Sequence, residues 1–202
     1  MNELREILNF PINLPRQKIN RRLKIPGGLT HNTVESKIEK YFPLLENAAR
    51  YKNLDIKIKE EKILINNKWN IVSDSLSTFL NGCNKVTILG VTTGSYLEEK
   101  MDKLQNSGNT LETMVIDALG SEGAEESAIY VSRIINREIE KEGFIPTKRF
   151  SPGYGDLSLE SQNIFFKELK LNEIGIELNE SLLMIPQKSI TAFIGWREKN
   201  QS

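Results

Sequence analysis

The pattern that most limits how this chain can fold is a long amphipathic repeat from about Leu111 to Lys141, which keeps helical spacing and stops at Gly143. Its apolar stripe must face a core, and the rest of the chain offers strands as well as helices to build one. LDIKI, starting at Leu54, alternates apolar and polar residues. KILI and WNIV flank Asn66 and Asn67, and Asn tolerates the positive φ that tight hairpin turns demand. KVTILGV, Lys85 to Val91, is an apolar run suited to a buried central strand. ITAFIGW, Ile190 to Trp196, follows SLLMI and a PQKS turn and has the alternation of a final strand. Hairpins and helices without regular βαβ alternation indicate an α+β class rather than a doubly wound sheet.

Shorter helices complete the pattern. Asn32 and Glu35 have capping-box spacing, and Val34, Ile38, Tyr41, Phe42, Leu45 and Ala49 recur at helical intervals, predicting a helix from about Thr33 to Tyr51. Asp74 to Leu80 ends at Gly82 as a capped helix would. Ser95 and Glu98 repeat the capping-box spacing before a helix through about Gln105. A loop from Phe144 to Leu157 then leads to a helix that starts near Ser158 and includes Phe165, Phe166 and Leu169. Residues 1–30 are basic and broken by Pro11, Pro15 and Pro26, with a turn at Pro26 to Gly28, so they are read as an N-terminal arm packed on a single domain spanning 31–202. The long helix carries Ala118, Gly120, Gly123 and Ala124, and each Gly there costs roughly 1 kcal/mol relative to Ala. Close approach by a ligand and tight helix packing both account for them.

Composition removes several function classes. Lys plus Arg equals Asp plus Glu at 27 each, so no long-range field favours nucleic acid or an anionic membrane. No apolar run approaches the roughly 20 residues of a spanning helix, and MNELREILNF lacks the uninterrupted apolar stretch of a signal peptide. The single cysteine, Cys83, excludes an internal disulfide and any zinc site needing two thiolates, which fits a reducing cytoplasm. Cys83 has no evident base beside it and reads as a packed residue. His31, the only histidine, reads as a surface loop residue. ILGVTTGSYLEEK, Ile88 to Lys100, has the strand, turn and helix order of a phosphate cradle, but its glycines fit neither the dinucleotide nor the P-loop spacing, and a simple connecting turn is the better reading.

The richest local chemistry lies in RFSPGYGD, Arg149 to Asp156. Arg149 is a planar donor that can hold a carboxylate through two parallel bonds. Pro152 and Gly153 allow close backbone approach, and Tyr154 offers a flat face and one hydroxyl. By composition alone an ordinary surface turn is the commoner meaning.

This loop resembles the Arg-x-x-x-Gly-Tyr motif of the activation domain of cobalamin-dependent methionine synthase, with Arg149, Gly153 and Tyr154 matched and Pro152 in place. IGIELNES, Ile174 to Ser181, and MIPQKS, Met184 to Ser189, resemble the family's segments behind that motif. MVIDALGSEGAEESA, from Met114, resembles its helix with an acidic ligand residue, which an ungapped match places at Glu125, with Glu126 and Glu122 as rivals. The family's proline after the Gly-Tyr pair is replaced here by Gly155, Asp156 and Leu157. The resemblance covers about Met114 to Gly195.

It implies a twisted antiparallel sheet flanked by helices that binds S-adenosylmethionine in a shallow groove. Arg149 would then grip the methionine carboxylate and Glu125 its ammonium. Ser151 and Gly153 would give backbone contacts to the adenosine, and Tyr154 a side-chain contact. The implied partner is the cobalamin-binding domain of methionine synthase or another corrinoid protein, with a flavodoxin-like or other reductant. The sequence lacks both the Asp-x-His-x-x-Gly signature that holds cobalamin through histidine and the thiolates of a homocysteine-activating zinc site. The chain would therefore supply the S-adenosylmethionine half of a reductive methylation. A docking module that does not use the ligand, and a sensor of S-adenosylmethionine, are the alternatives.

Overall fold

The computed structural model describes residues 3–13, 16–23, 31–106 and 108–199. Its centre is β5 (Cys83–Thr92), which pairs antiparallel with β2 (Ala48–Lys59) on one side and β9 (Ser189–Arg197) on the other. Beyond β2 come β3 (Lys62–Ile65) and β4 (Trp69–Val72), and beyond β9 comes β6 (Ile145–Phe150). The first half of β2 also takes β1 (Arg5–Leu8), on the edge away from β5 and along the stretch that β3 does not reach. All seven strands are antiparallel to their neighbours, and β7 (Glu177–Leu178) with β8 (Met184–Ile185) forms a small separate ladder.

Both faces of β5 are covered, which is why its sequence is continuously apolar. Val86 and Ile88 join a cluster with Phe193, with Leu76 and Leu80 of the α3 segment (α3, Asp74–Phe79) and with Ile164, Phe165 and Leu169 of α6 (Gln162–Leu169). Leu89 and Val91 face the other way, onto Ala128, Val131, Ile135 and Ile139 of α5 (Thr110–Lys141). The first half of α5 packs instead in a helical layer with α1 (Arg16–Leu23), α2 (His31–Tyr41) and α4 (Tyr96–Asn106). One long helix thus joins the helical layer to the sheet.

Two elements differ from the sequence expectation. The helix predicted to reach Tyr51 ends at Tyr41, followed by a 3-10 turn at Phe42–Leu44, and Ala49 to Tyr51 belong to β2. Pro43 lacks the N–H that a continuing α-helix would use, and Ala49 and Tyr51 are buried on the α5 side of the sheet. The loop predicted from Phe144 contains β6, an edge strand whose half-exposed residues show no alternation for a sequence reading to detect. Residues of the N-terminal segment enter both layers, β1 through its ladder with β2 and α1 through contact with α5. The turn expected at Pro26 to Gly28 and the side chains of His31 and Asn32 lie outside the described residues.

Glu168 ties α6 to the hairpin strands. Its carboxylate accepts from Lys52 Nζ at 2.7 Å, Trp69 Nε1 at 2.9 Å and Lys68 Nζ at 3.2 Å. Burial alone would raise its pKa, but these donors outweigh burial and bring it from 4.5 down to about 2. A depressed carboxylate stabilises the fold above its ordinary pKa and loses that contribution as pH falls towards the folded value, here between 4.5 and about 2. Glu168→Gln is expected to cost about 1–3 kcal/mol at neutral pH. Urea unfolding followed across this pH range should also show a shallower loss of stability in the variant than in the parent.

Candidate functional site

α5 carries three glutamates at the level of the sheet edge, and their partners separate them. Glu122 accepts from Arg22 Nε at 2.9 Å and Glu126 from Lys18 Nζ at 2.6 Å, so both are held by α1. Glu125 turns the other way and accepts from Arg149 Nη2 at 2.8 Å. Arg149 stands on β6 opposite Ile194 of β9. The pair is only partly covered, with side chains 46% exposed for Glu125 and 25% for Arg149. Both line an open groove of about 530 Å³, along with Ser151, Tyr154, Asn136 and Thr191. Four of the five residues singled out from the sequence therefore share one concavity, and of the three glutamates Glu125 is the one that lines it.

Gly153 lies in the turn that shapes the groove wall rather than on its lining. Its φ of +86° suits glycine, and its N–H donates to Leu157 O at 2.8 Å. Tyr154 N donates to Ser151 O at 3.2 Å, closing the turn, and Tyr154 stacks edge-on against Phe150 at 6.1 Å while staying 60% exposed. The ring lines the groove and stays open to solvent.

Gly155 and Asp156 fix this loop to the body. Gly155 has a φ of +57°, and a Cβ there would come within 2.4 Å of Ser75 Oγ. Asp156 accepts from Ser73 Oγ at 2.6 Å, Asp74 N at 2.8 Å and Ser75 N at 3.1 Å, capping the start of α3. The Ser73 hydroxyl and the two backbone amides hold its pKa well below the usual carboxylate range. Gly155→Val should loosen the loop, through both the clash and the strained backbone, and raise proteolytic cleavage between Phe150 and Leu157. A fold-wide loss of stability is not expected, because Tyr154, Gly155 and Asp156 are exposed.

The turn that leads into Ser189 and Ile190 of the groove lining is held by a residue the sequence reading did not single out. Lys188, in the PQKS turn, places Nζ at 2.7 Å from Asp117 Oδ1 and 3.0 Å from Ser121 Oγ. Its backbone N–H donates to Glu98 Oε1 at 2.9 Å, so Glu98 serves this turn while the Ser95 hydroxyl bonds to Glu99. A Cβ on Gly120 would meet the Lys188 stem at 3.0 Å, and one on Gly123 would meet Leu45 at 3.1 Å. The small residues of α5 therefore serve packing.

Other readings resolve simply. The turn after β5 is filled by Glu46, whose side chain lies 2.8 Å from where a Gly94 Cβ would sit, which leaves a carboxylate where a phosphate cradle would need open amides. Burial raises the Cys83 thiol pKa, with Arg197 opposing, as suits a packed thiol rather than a nucleophile. Among the described residues no cluster of three metal-ligating side chains occurs, and no helix is long and apolar enough to cross a membrane.

No family model matches the sequence, and no curated protein matches it. The fold does match a solved structure, the MetH reactivation domain bound to AdoHcy. The TM-score is 0.71 and the identity 13%, over 100% of this chain and 80% of that one. The expected architecture, an antiparallel sheet flanked by helices, is therefore the observed one, shared with a domain of very different sequence.

Proposed function

We propose that this protein, having the fold of a domain crystallised with AdoHcy, binds S-adenosylmethionine in the groove at Arg149 and Glu125 and supports reductive methylation of cobalamin carried by a partner protein. The observation that carries the reading is the Arg149–Glu125 pair at 2.8 Å, facing open space on two different elements. A zwitterionic amino-acid head needs one fixed cation and one fixed anion. It can enter between these two side chains and exchange one ion pair for two without leaving any charge unpaired. The structural analogy supports the same ligand class.

In this reading the chain positions a sulfonium methyl and excludes competing orientations, so no general base is required. The partner's cobalamin receives one electron from a flavodoxin-like or other reductant and then the methyl group, and S-adenosylhomocysteine stays in the groove. Exposed apolar side chains near the groove, Tyr154 at 60%, Leu183 at 52% and Ile185 at 50%, suit docking against such a partner. The partner itself is the cobalamin-binding domain of a methionine synthase or another corrinoid protein.

The test combines this protein, a cob(II)alamin-loaded methionine synthase fragment lacking its own activation domain, reduced flavodoxin and methyl-labelled S-adenosylmethionine. Label transfer to cobalamin that requires this chain supports the proposal. Transfer that is equal without it contradicts the proposal. Docking onto the fragment that is indifferent to S-adenosylmethionine would instead favour a docking module.

A further inference from the structure

The floor of the groove is a stretch of sheet edge that no described strand covers. β6 runs beside β9 only from Ile145 opposite Arg197 to Phe150 opposite Phe193, and then leaves. Backbone groups of alternate residues in an antiparallel strand point to opposite edges. Thr93 N donates to Lys188 O, so Lys188, Ile190 and Ala192 turn their groups to β5. Gly195 N donates to Thr147 Oγ1 on the β6 side, so the odd-numbered residues face the other way. Ser189 and Thr191 therefore direct their N–H and C=O groups towards the side that β6 has left, where both residues line the groove. Both are buried, Thr191 at 2% exposure, and buried backbone groups require partners.

Glu125 lines the same groove as Ser189 and Thr191. Arg149 reaches Glu125 from across the groove. An anion, a cation, a backbone donor and a backbone acceptor thus converge.

We infer that Thr191 clamps the α-amino-acid head of the ligand through its main chain, its C=O accepting from the ammonium shared with Glu125 and its N–H donating to the carboxylate shared with Arg149. The inference rests on the S-adenosylmethionine reading above and deepens it. The head group takes the place of the next strand residue, supplying the donor and acceptor that β6 withholds. Side chains alone set the charge requirement, whereas the edge fixes which way the α-carbon faces. The Thr191 hydroxyl takes no part, since it donates to Gln162 Oε1 at 2.8 Å.

Residue-resolved amide exchange on the full chain tests this, with S-adenosylhomocysteine and 5′-methylthioadenosine as probes. The second keeps the nucleoside and lacks the amino-acid head. With S-adenosylhomocysteine at about ten times its dissociation constant, exchange at Thr191 should slow roughly tenfold. Under 5′-methylthioadenosine it should stay unchanged. Equal protection by both probes, or bound S-adenosylhomocysteine without protection at Thr191, overturns the clamp while leaving the ligand reading intact. Failure of S-adenosylhomocysteine to bind at all overturns both.

Discussion

Arg149→Ala is expected to weaken S-adenosylhomocysteine binding by roughly ten- to a hundredfold, the equivalent of losing about 1.5–3 kcal/mol of charge-assisted hydrogen bonding. The direction follows from the exchange of ion pairs. In the parent, Arg149 and Glu125 already satisfy each other at 2.8 Å, so an entering zwitterion must offer both charges to separate them. A des-amino analogue, which keeps the carboxylate and drops the ammonium, would take Arg149 and strand Glu125. The parent should therefore bind it much more weakly than S-adenosylhomocysteine. In Glu125→Gln no carboxylate is stranded, and the preference for the ammonium-bearing ligand should shrink or vanish. Isothermal titration of both ligands with both proteins gives the coupling directly. An unchanged preference in Glu125→Gln would mean that Glu125 does not meet the ammonium.

The largest effect on stability is expected from Phe165→Ala, at about 3–5 kcal/mol. Phe165 and Phe193 are both fully buried and meet edge to face with centroids 4.6 Å apart. They join α6 to β9 beneath the open edge at Thr191, and Gln162, which holds the Thr191 hydroxyl, lies on the same helix. Truncation leaves a cavity that surrounding rings cannot close without moving β9. Chemical denaturation should show the loss, and at temperatures where the variant remains folded its ligand affinity should fall as well. A loss below about 1 kcal/mol would show that the seam repacks and that β9 does not depend on it.

The parts of the fold that could be read from the sequence are those where burial writes a pattern. β5 is apolar throughout because both its faces are covered, β9 alternates towards α5 and α6, and the stripe of α5 reports its continuous contact with a core. β6 and β1 leave weaker traces, since edge strands are specified by main-chain ladders more than by side-chain burial. The helix prediction overran Tyr41 because Leu45 and Ala49 happen to continue its period, although Pro43 interrupts it.

At the site, Arg149, Ser151 and Tyr154 were legible because they lie within six residues of one another in a recognisable loop. Glu125 was placed first only by an ungapped match, because what sets it apart from Glu122 and Glu126 in the structure is Arg22 and Lys18, roughly a hundred residues away in sequence. Lys188 was hidden for the same reason. The open edge of β9 carries no sequence signal at all, because it is created by where another strand departs. Asn136 belongs to this group too: it lines the groove, and its buried Oδ1 has no hydrogen-bond partner among the described residues, a feature only the assembled helix and strand reveal.

The most direct test of the central claim is calorimetric titration of the unmodified protein with S-adenosylhomocysteine. Saturable one-to-one binding that Arg149→Ala reduces by roughly tenfold or more is the predicted result. No binding, or binding that Arg149→Ala leaves unchanged, would contradict it.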